Sequence, residues 1–146
     1  MAKTFVLVHG AWHGGWCWRR VSDLLERQGH KVFTPTLTGL GERSHLMSKE
    51  IRLATHITDV VNHLKWEGLE GVVLCGHSYG GMVVSAVAEQ MADKIASIVL
   101  LDAFVPGCRC RPVAWRRGAN PKSRHRSGRR APRRSAARRR RGTRSN

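Results

Sequence analysis

One serine of this chain lies in a setting that suits nucleophilic chemistry. Ser78 belongs to the stretch GHSYGG, residues 76–81, which directly follows the apolar run VVLC. A serine hydroxyl attacks a carbonyl carbon only when a neighbouring base takes its proton. A Gly-x-Ser-x-Gly turn between a strand and a helix holds such a serine on a tight, strained bend, and the glycines let the strand and the helix approach. The stretch predicts that Ser78 is a nucleophile; the alternative is a serine that only caps the following helix.

Two backbone amides are candidates for stabilising the oxyanion that such an attack creates. An oxyanion hole of this kind takes one N–H from the residue after the nucleophile, here Tyr79, and one from the loop after the first strand. The apolar run FVLV leads into the residues HGA, which makes Ala11 the second candidate. His77 is expected to face away from the serine in a supporting role. We expect His9 and His13 either to line the pocket or to pack within their loop.

Four short apolar runs alternate with helical patterns, and they fix where these residues must lie. The runs cover residues 5–8, 31–34, 72–75 and 95–101, and the helical patterns cover about 16–28, 57–64 and 79–91. Strands that are apolar on both faces and alternate with helices indicate a parallel sheet covered on two sides, so the predicted class is α/β. The loops beyond the carboxyl ends of such strands share one edge. The HGA loop, the GHSYGG turn and the segment that begins at Asp102 should therefore meet.

Taken together, these motifs resemble one family. The stretches FVLVHGAWHGGWCW, TPTLTGLGERSHL, VVLCGHSYGGMV and IVLLDAFVP are similar to the α/β-hydrolase superfamily, and more narrowly to small esterases related to plant methylesterases and hydroxynitrile lyases. The resemblance covers residues 3–106. It implies Ser78 as nucleophile, Ala11 and Tyr79 as oxyanion donors, a small ester as substrate, and no metal or organic cofactor. The lyase branch carries threonine where this chain has Gly10, which favours the esterase over the alternative of a lyase-like enzyme.

The acid and the base of a catalytic triad are not recognisable. The family order is serine, then an acid, then histidine. Ser78, Asp102 and His125 form a formal triad, and Asp102 does follow a core strand at the expected edge. His125, however, lies in an arginine-rich segment with no apolar pattern to hold it about 3 Å from the serine. We therefore expect Asp102 to cap a turn, and we expect this chain to hydrolyse esters poorly or not at all.

Charge divides the chain into two parts. Residues 1–107 contain ten Lys or Arg and ten Asp or Glu, whereas residues 108–146 contain fifteen Arg, one Lys and no acid, so the net charge of +16 belongs to the second part. We predict the N-terminal portion of an α/β-hydrolase domain over 1–107 and a disordered basic tail over 108–146. Two origins of the tail stay open. It is either an out-of-frame product of G+C-rich codons, or an arm that binds nucleic acid non-specifically.

Hydrophobic runs and cysteine spacing argue against membrane, secreted, disulfide-bonded and zinc-binding proteins. The chain has no apolar stretch long enough for a membrane helix, and its N-terminal apolar run is too short for a secretion signal. Cys17, Cys75, Cys108 and Cys110 show no disulfide spacing, and the last two lack further zinc ligands. These features favour a cytoplasmic protein with free thiols and no metal. The strand over 95–101 should lack an outer neighbour and leave an apolar edge that favours aggregation.

Overall fold

The computed structural model describes residues 1–107, so the predictions for the basic tail, including His125 and the Cys108 and Cys110 pair, lie outside the described residues. Within 1–107 the strands and α-helices are β1 (Thr4–Val8), α1 (Arg19–Arg27), β2 (Lys31–Phe33), α2 (Leu53–Trp66), β3 (Val72–His77), α3 (Gly80–Gln90) and β4 (Ile95–Leu101). Short 3-10 helices occur at Gly15–Trp18, Gly41–Leu46 and Ala92–Lys94. No helix of residues 1–107 is long and apolar enough to cross a membrane.

The four strands form one parallel sheet in the order β2-β1-β3-β4. Val6 of β1 aligns with Phe33 of β2 on one side and with Leu74 of β3 on the other. On β3, Cys75 aligns with Val99 of β4. Parallel neighbours require a crossover connection, and a helix lies between each strand and the next along the chain. This arrangement confirms the predicted α/β class with a parallel sheet flanked by helices.

Alternation along the strands creates a core on each face of the sheet, because successive strand residues point in opposite directions. Val6, Val8 and Leu74 pack with buried residues of α2 and α3 in the larger core. Leu7 and Cys75 point the other way and pack with Trp18 in a smaller one. These residues are at most 7% exposed. In β1 and β3 the double-sided apolar pattern thus corresponds to strands that are covered on both faces.

The predicted bounds differ from the structure at the ends of elements. The helix expected over 16–28 begins as a 3-10 turn, because the Gly15 N–H donates to Thr36 Oγ1 at 2.7 Å and holds the chain in a tighter bend. α1 ends before Gly29, whose φ of 82° lies in the left-handed region where glycine commonly ends a helix. β3 continues two residues beyond the predicted run, because its pairing with β4 extends to His77.

β4 forms one edge of the sheet within residues 1–107. It pairs with β3 on one side, and its apolar residues from Ile98 to Leu101 are 42% to 50% exposed. The corresponding apolar residues of β3, from Val72 to Cys75, are at most 7% exposed. The expected apolar edge is therefore confirmed in the described part of the chain.

Candidate active site

Ser78 lies at the turn between β3 and α3 in a strained conformation. Its φ of 51° falls in the left-handed region, which is unfavourable for a residue with a side chain. The Ser78 N–H donates to the Leu101 carbonyl at 3.2 Å, and the Ser78 carbonyl accepts from the N–H groups of Gly81 and Phe104, both at 3.0 Å. Two of these three hydrogen bonds come from the end of β4 and the segment that follows it. Neighbouring backbone therefore holds Ser78 in a conformation that it would not adopt alone.

Steric contacts require glycine at the positions around Ser78. A Cβ atom on Gly76 would lie 2.7 Å from the Gly80 oxygen and 2.7 Å from Val84 Cγ2. A Cβ atom on Gly80 would lie 2.7 Å from the Val8 oxygen. Contacts this short would force the backbone to shift. Such a shift is costly, because strand and helix backbones adapt less easily than the ends of flexible side chains. The close approach of β3, α3 and β1 is the geometry that the Gly-x-Ser-x-Gly spacing predicts.

The loop after β1 passes beside the nucleophile turn. A Cβ atom on Gly10 would lie 3.1 Å from Ser78 Cβ and 3.0 Å from His77 Nδ1. The next residue along this loop is Ala11, so the two stretches that supply the candidate oxyanion amides meet at one edge of the sheet, as predicted. A threonine at position 10 would need one of these neighbours to shift.

The side chain of His9 holds this loop in place with two hydrogen bonds. It is fully buried; its Nδ1 lies 2.8 Å from the Gly10 oxygen, and its Nε2 accepts the Leu37 N–H at 3.0 Å. Since Nε2 is an acceptor, Nδ1 carries the proton and donates to Gly10. Burial lowers the pKa of His9, which keeps the ring neutral. The carbonyl and the N–H of a trans peptide point in opposite directions, so fixing the Gly10 oxygen also orients the Ala11 N–H. Of the two expectations for His9, packing within the loop is the one the structure supports.

A chain of hydrogen bonds holds the side chain of Tyr79. Its hydroxyl lies 2.8 Å from His56 Nδ1, and His56 Nε2 lies 2.9 Å from the Thr38 oxygen. Because a carbonyl only accepts, His56 carries its proton on Nε2 and accepts from the tyrosine. The Asp59 carboxylate accepts from the Thr38 N–H at 2.7 Å and from its hydroxyl at 2.8 Å. Burial raises the pKa of the Tyr79 hydroxyl, which stays protonated. Tyr79, the residue after Ser78, is thereby tied to α2.

Sequence reasoning missed His56. The signal was present, because His56 lies four and eight residues before Val60 and Leu64, on the same face of α2, and all three are buried. A histidine on the apolar stripe of a helix must find polar partners within the core. Those partners come from a loop and a turn that are distant in sequence.

His77 faces a small cleft beside the nucleophile turn. The cleft has a volume of about 210 Å³ and is lined by His13, Cys17, Trp18, Val21, His77 and Leu101. The His77 ring meets the edge of Trp18 at a centroid distance of 6.3 Å and lies 6.2 Å from the ring of His13. The supporting role expected of His77 stays a prediction.

Asp102 reaches the edge that carries Ser78, but nothing joins the two side chains. Asp102 directly follows β4, whose last residue Leu101 aligns with His77, and it has a φ of 44°. Among residues 1–107 no side chain forms a hydrogen bond with the Ser78 hydroxyl, and both ring nitrogens of His9 are already engaged. The same residues contain no group of three or more His, Cys, Asp or Glu that could hold a metal ion. Within residues 1–107, Ser78 therefore lies on a strained turn, and no base is hydrogen-bonded to its hydroxyl.

Comparison with known proteins agrees with this geometry. The family described as the Alpha/beta hydrolase family matches residues 5–145. A carbendazim-hydrolysing esterase of Nocardioides sp. (strain SG-4G) is 57% identical over 103 residues, which are 70% of this chain and 43% of the esterase. Salicylic acid-binding protein 2 of Nicotiana tabacum is 42% identical over 107 residues, which are 71% of this chain and 40% of that protein.

Solved structures give the same result. An extracellular α/β-hydrolase from a Paenibacillus species superposes with a TM-score of 0.67 at 36% identity, over 71% of this chain and 42% of the hydrolase. Polyneuridine aldehyde esterase superposes with a TM-score of 0.67 at 32% identity, over 73% of this chain and 42% of the esterase. This chain spans about two fifths of the length of these relatives. As its motifs predicted, the chain belongs to the α/β-hydrolase family.

Proposed function

We propose that this chain carries the nucleophile and the oxyanion hole of a serine carboxylesterase that acts on a small ester. The observation that carries the proposal is the strained backbone of Ser78, with φ at 51° and three backbone hydrogen bonds that hold it. Strain of this kind is characteristic of functional turns and persists only where the surroundings enforce it. A serine that merely capped α3 would need no left-handed conformation, and the side chain of Ser78 forms no hydrogen bond to the helix within the described residues.

In the proposed reaction the Ser78 hydroxyl oxygen attacks the ester carbonyl carbon while a base takes its proton. The carbonyl oxygen becomes an oxyanion, which accepts hydrogen bonds from the Ala11 and Tyr79 amides. The alcohol then leaves with the proton from the base, and Ser78 keeps the acyl group. Attack by water on this acyl-enzyme, assisted by the same base, releases the acid and restores the serine.

Three features of the described residues support this assignment of the oxyanion hole. The hydrogen bond from His9 to the Gly10 carbonyl orients the Ala11 N–H, as described above. The bond from the Tyr79 hydroxyl to buried His56 limits movement of the other donor residue. The N-terminus of α3 adds partial positive charge beside the turn. A preorganised site gains more from such donors than a mobile one, because little reorganisation is needed during the reaction.

Residues 1–107 do not supply the base that the proposal requires. Asp102 is the candidate acid at the correct edge of the sheet, and His125 lies outside the described residues. We therefore expect little or no turnover by this chain alone. The printed names of its relatives, which include a carbendazim-hydrolysing esterase and several methylesterases, support a small ester as the substrate class. Gly10 disfavours the lyase-like alternative.

A chimera tests the proposal without depending on the turnover of this chain. Residues 3–106 replace the matched segment of the Nocardioides esterase, and hydrolysis of p-nitrophenyl acetate is measured. We expect the chimera to be active and Ser78→Ala to lower kcat by at least about 10⁴-fold, as removal of a triad nucleophile does. Ser22→Ala, at a half-buried serine of α1 whose hydroxyl donates to the Arg19 carbonyl, serves as the matched control and should change kcat less than twofold. An active Ser78→Ala chimera would refute the assignment.

A further inference from the structure

Trp12 combines high exposure with a strained backbone. It lies four residues after the end of β1 and is 88% exposed, more than any other large apolar residue of 1–107 except Met1. Its φ of 66° falls in the left-handed region, which is unfavourable for a bulky side chain. A single exposed apolar residue is ordinary on a protein surface. One that is held in a strained conformation indicates that the position serves a function.

The strain at Trp12 is part of a pattern. The non-glycine residues of 1–107 with a positive φ are Trp12, Ser78 and Asp102. They follow β1, β3 and β4 respectively, and these three strands are neighbours in the sheet. All three residues therefore lie at the edge formed by the carboxyl ends of the strands, which is the edge where open parallel sheets bind ligands.

Trp12 lies close to the groups that the proposed reaction uses. A Cβ atom on Gly10 would lie 3.1 Å from Ser78 Cβ. Because Trp12 is two residues beyond Gly10, the Cα atoms of these residues are at most about 7 Å apart. Ala11, the candidate oxyanion donor, directly precedes Trp12. A ligand whose carbonyl group is held by Ala11 and Ser78 thus extends from a point beside the backbone that carries the indole.

The indole of Trp12 differs from those of its neighbours in having free faces. Trp18 is 6% exposed and packs with Leu7 in the smaller core, and the ring of Trp16 meets the edge of the His13 ring at a centroid distance of 5.8 Å. Within residues 1–107 no aromatic ring and no Lys ammonium lies against the Trp12 indole. A free indole face attracts planar aromatic rings in offset or edge-to-face arrangements.

We propose that Trp12 is a specificity-determining residue, whose indole provides a stacking surface for an aromatic ring carried by the ester. The inference rests on the proposed function, since Ala11 and Ser78 must hold the ester carbonyl for the ring to meet the indole. Glycine would fit the left-handed backbone of position 12 without strain, but it would offer no such surface. The same stacking serves a ring on the acyl side or on the alcohol side of the ester bond.

Ester binding to the complete 146-residue chain tests the stacking surface. Methyl benzoate and phenyl acetate carry the ring on opposite sides of the ester bond, and methyl cyclohexanecarboxylate replaces the flat ring of methyl benzoate by a saturated one. Titrations followed by saturation-transfer NMR give a dissociation constant for each ester. We expect at least one aromatic ester to bind about 2- to 10-fold more tightly than the saturated ester, as a stacked aromatic pair implies. The aromatic ester that binds more tightly shows which side of the ester bond faces Trp12.

Two variants at position 12 separate stacking from apolar bulk. Trp12→Leu keeps an apolar side chain without an aromatic face, so the preference for the aromatic ester should disappear. Trp12→Phe should retain most of the preference. Trp66→Leu is the matched control and should leave the preference unchanged, because Trp66 is 81% exposed but lies at the end of α2, shortly before β3 begins and at the opposite edge of the sheet from Ser78. Circular dichroism verifies that the variants keep their fold.

Three results would overturn the inference. They are equal binding of the aromatic and saturated esters by the wild type, an unchanged preference in Trp12→Leu, and a loss in Trp12→Leu that is the same for all three esters. The last result is what a purely structural role of Trp12 would give.

The chimera described under the proposed function separates the two proposals. In it, Trp12→Leu should raise KM for the preferred aromatic ester and change kcat by less than about twofold, because stacking binds substrate and transition state alike. A preference that depends on Trp12, without hydrolysis that depends on Ser78, would support the stacking surface and count against the proposed function. Hydrolysis that depends on Ser78, with no effect of Trp12→Leu on ester preference, would support the proposed function and overturn this inference.

Discussion

Ser78 combines two opposing requirements in one residue. The left-handed region costs a residue with a side chain roughly 1–2 kcal/mol, yet Ser78 adopts it with a φ of 51° at the turn between β3 and α3, where the proposed reaction needs a serine hydroxyl. Glycine adopts the same region at no steric cost, although it gives the unfolded chain more conformational freedom. The wild-type serine is therefore expected to lower the stability of the fold that it serves.

We predict that Ser78→Gly raises the free energy of unfolding by about 0.5–1 kcal/mol, the difference between relieved backbone strain and added chain entropy. Urea denaturation of the 146-residue chain measures the change. Ser85→Gly, in the interior of α3, should have the opposite sign, because glycine disfavours a helix. Destabilisation by Ser78→Gly would show that the serine side chain itself stabilises the turn.

His9 makes stability depend on pH. Its pKa is lowered in the folded protein, chiefly by burial, while the unfolded chain titrates near 6.5. Above that pH neither state binds the proton, so His9 adds no pH dependence there. As pH falls below 6.5 the unfolded state binds more protons than the folded state, and stability decreases until pH passes the folded pKa.

We therefore predict that the free energy of unfolding falls between pH 7.5 and pH 5.5. His9→Gln should lower stability at every pH by about 1–3 kcal/mol, because at least one polar backbone partner loses its hydrogen bond. It should also make the slope with pH shallower. Urea denaturation across this range provides the measurement. His45→Gln, at an exposed histidine, is the control for slope, and an unchanged slope in His9→Gln would exclude His9 as the source.

At the scale of elements, the sequence predicted where the strands lie along the chain, but it did not predict the order of the strands in the sheet. The runs that became β1, β3 and β4 were recognisable because residues apolar on both faces suit a buried parallel strand. The same property hides the order β2-β1-β3-β4, since every run is equally suited to any interior position. Periodicity also placed the beginning of α2 too late in the sequence. The predicted pattern began at Ile57, whereas the helix begins at Leu53, next to a capping interaction between Arg52 and Thr55.

The candidate site likewise contains residues that could be predicted from the sequence and residues that could not. Ser78 and its glycines were predictable because a local spacing encodes one turn with its own steric demands. The roles of His9 and His56 were not, because their partners are distant in sequence: Leu37 bonds His9 across 28 residues, and Tyr79 bonds His56 across 23. Local motifs therefore predict the turn that holds Ser78, whereas the groups that fix this turn in place depend on tertiary contacts.

At the scale of the whole molecule, the two parts of the chain differ most in charge. Residues 1–107 balance ten basic side chains with ten acidic ones, and residues 108–146 carry sixteen basic side chains and no acid. The first part has the composition of an ordinary folded domain. The second has that of a polycation, and polycations bind nucleic acid by releasing counterions from phosphates. We expect such binding from charge alone, whether the basic segment is an out-of-frame product or a selected arm.

We predict that the 146-residue chain binds a labelled DNA duplex without sequence preference. If six or more basic side chains contact phosphates, the affinity should fall by about 10³-fold or more between 50 and 200 mM salt. Fluorescence anisotropy measures the binding. Ser78→Ala should bind as the wild type does, because the nucleophile turn takes no part, and a chain that ends at residue 107 should not bind. Sequence-specific binding that survives this deletion would instead place the nucleic-acid site on the α/β-hydrolase part. We do not expect this outcome, because the balanced charge of residues 1–107 gives that part no excess of positive charge to attract phosphates.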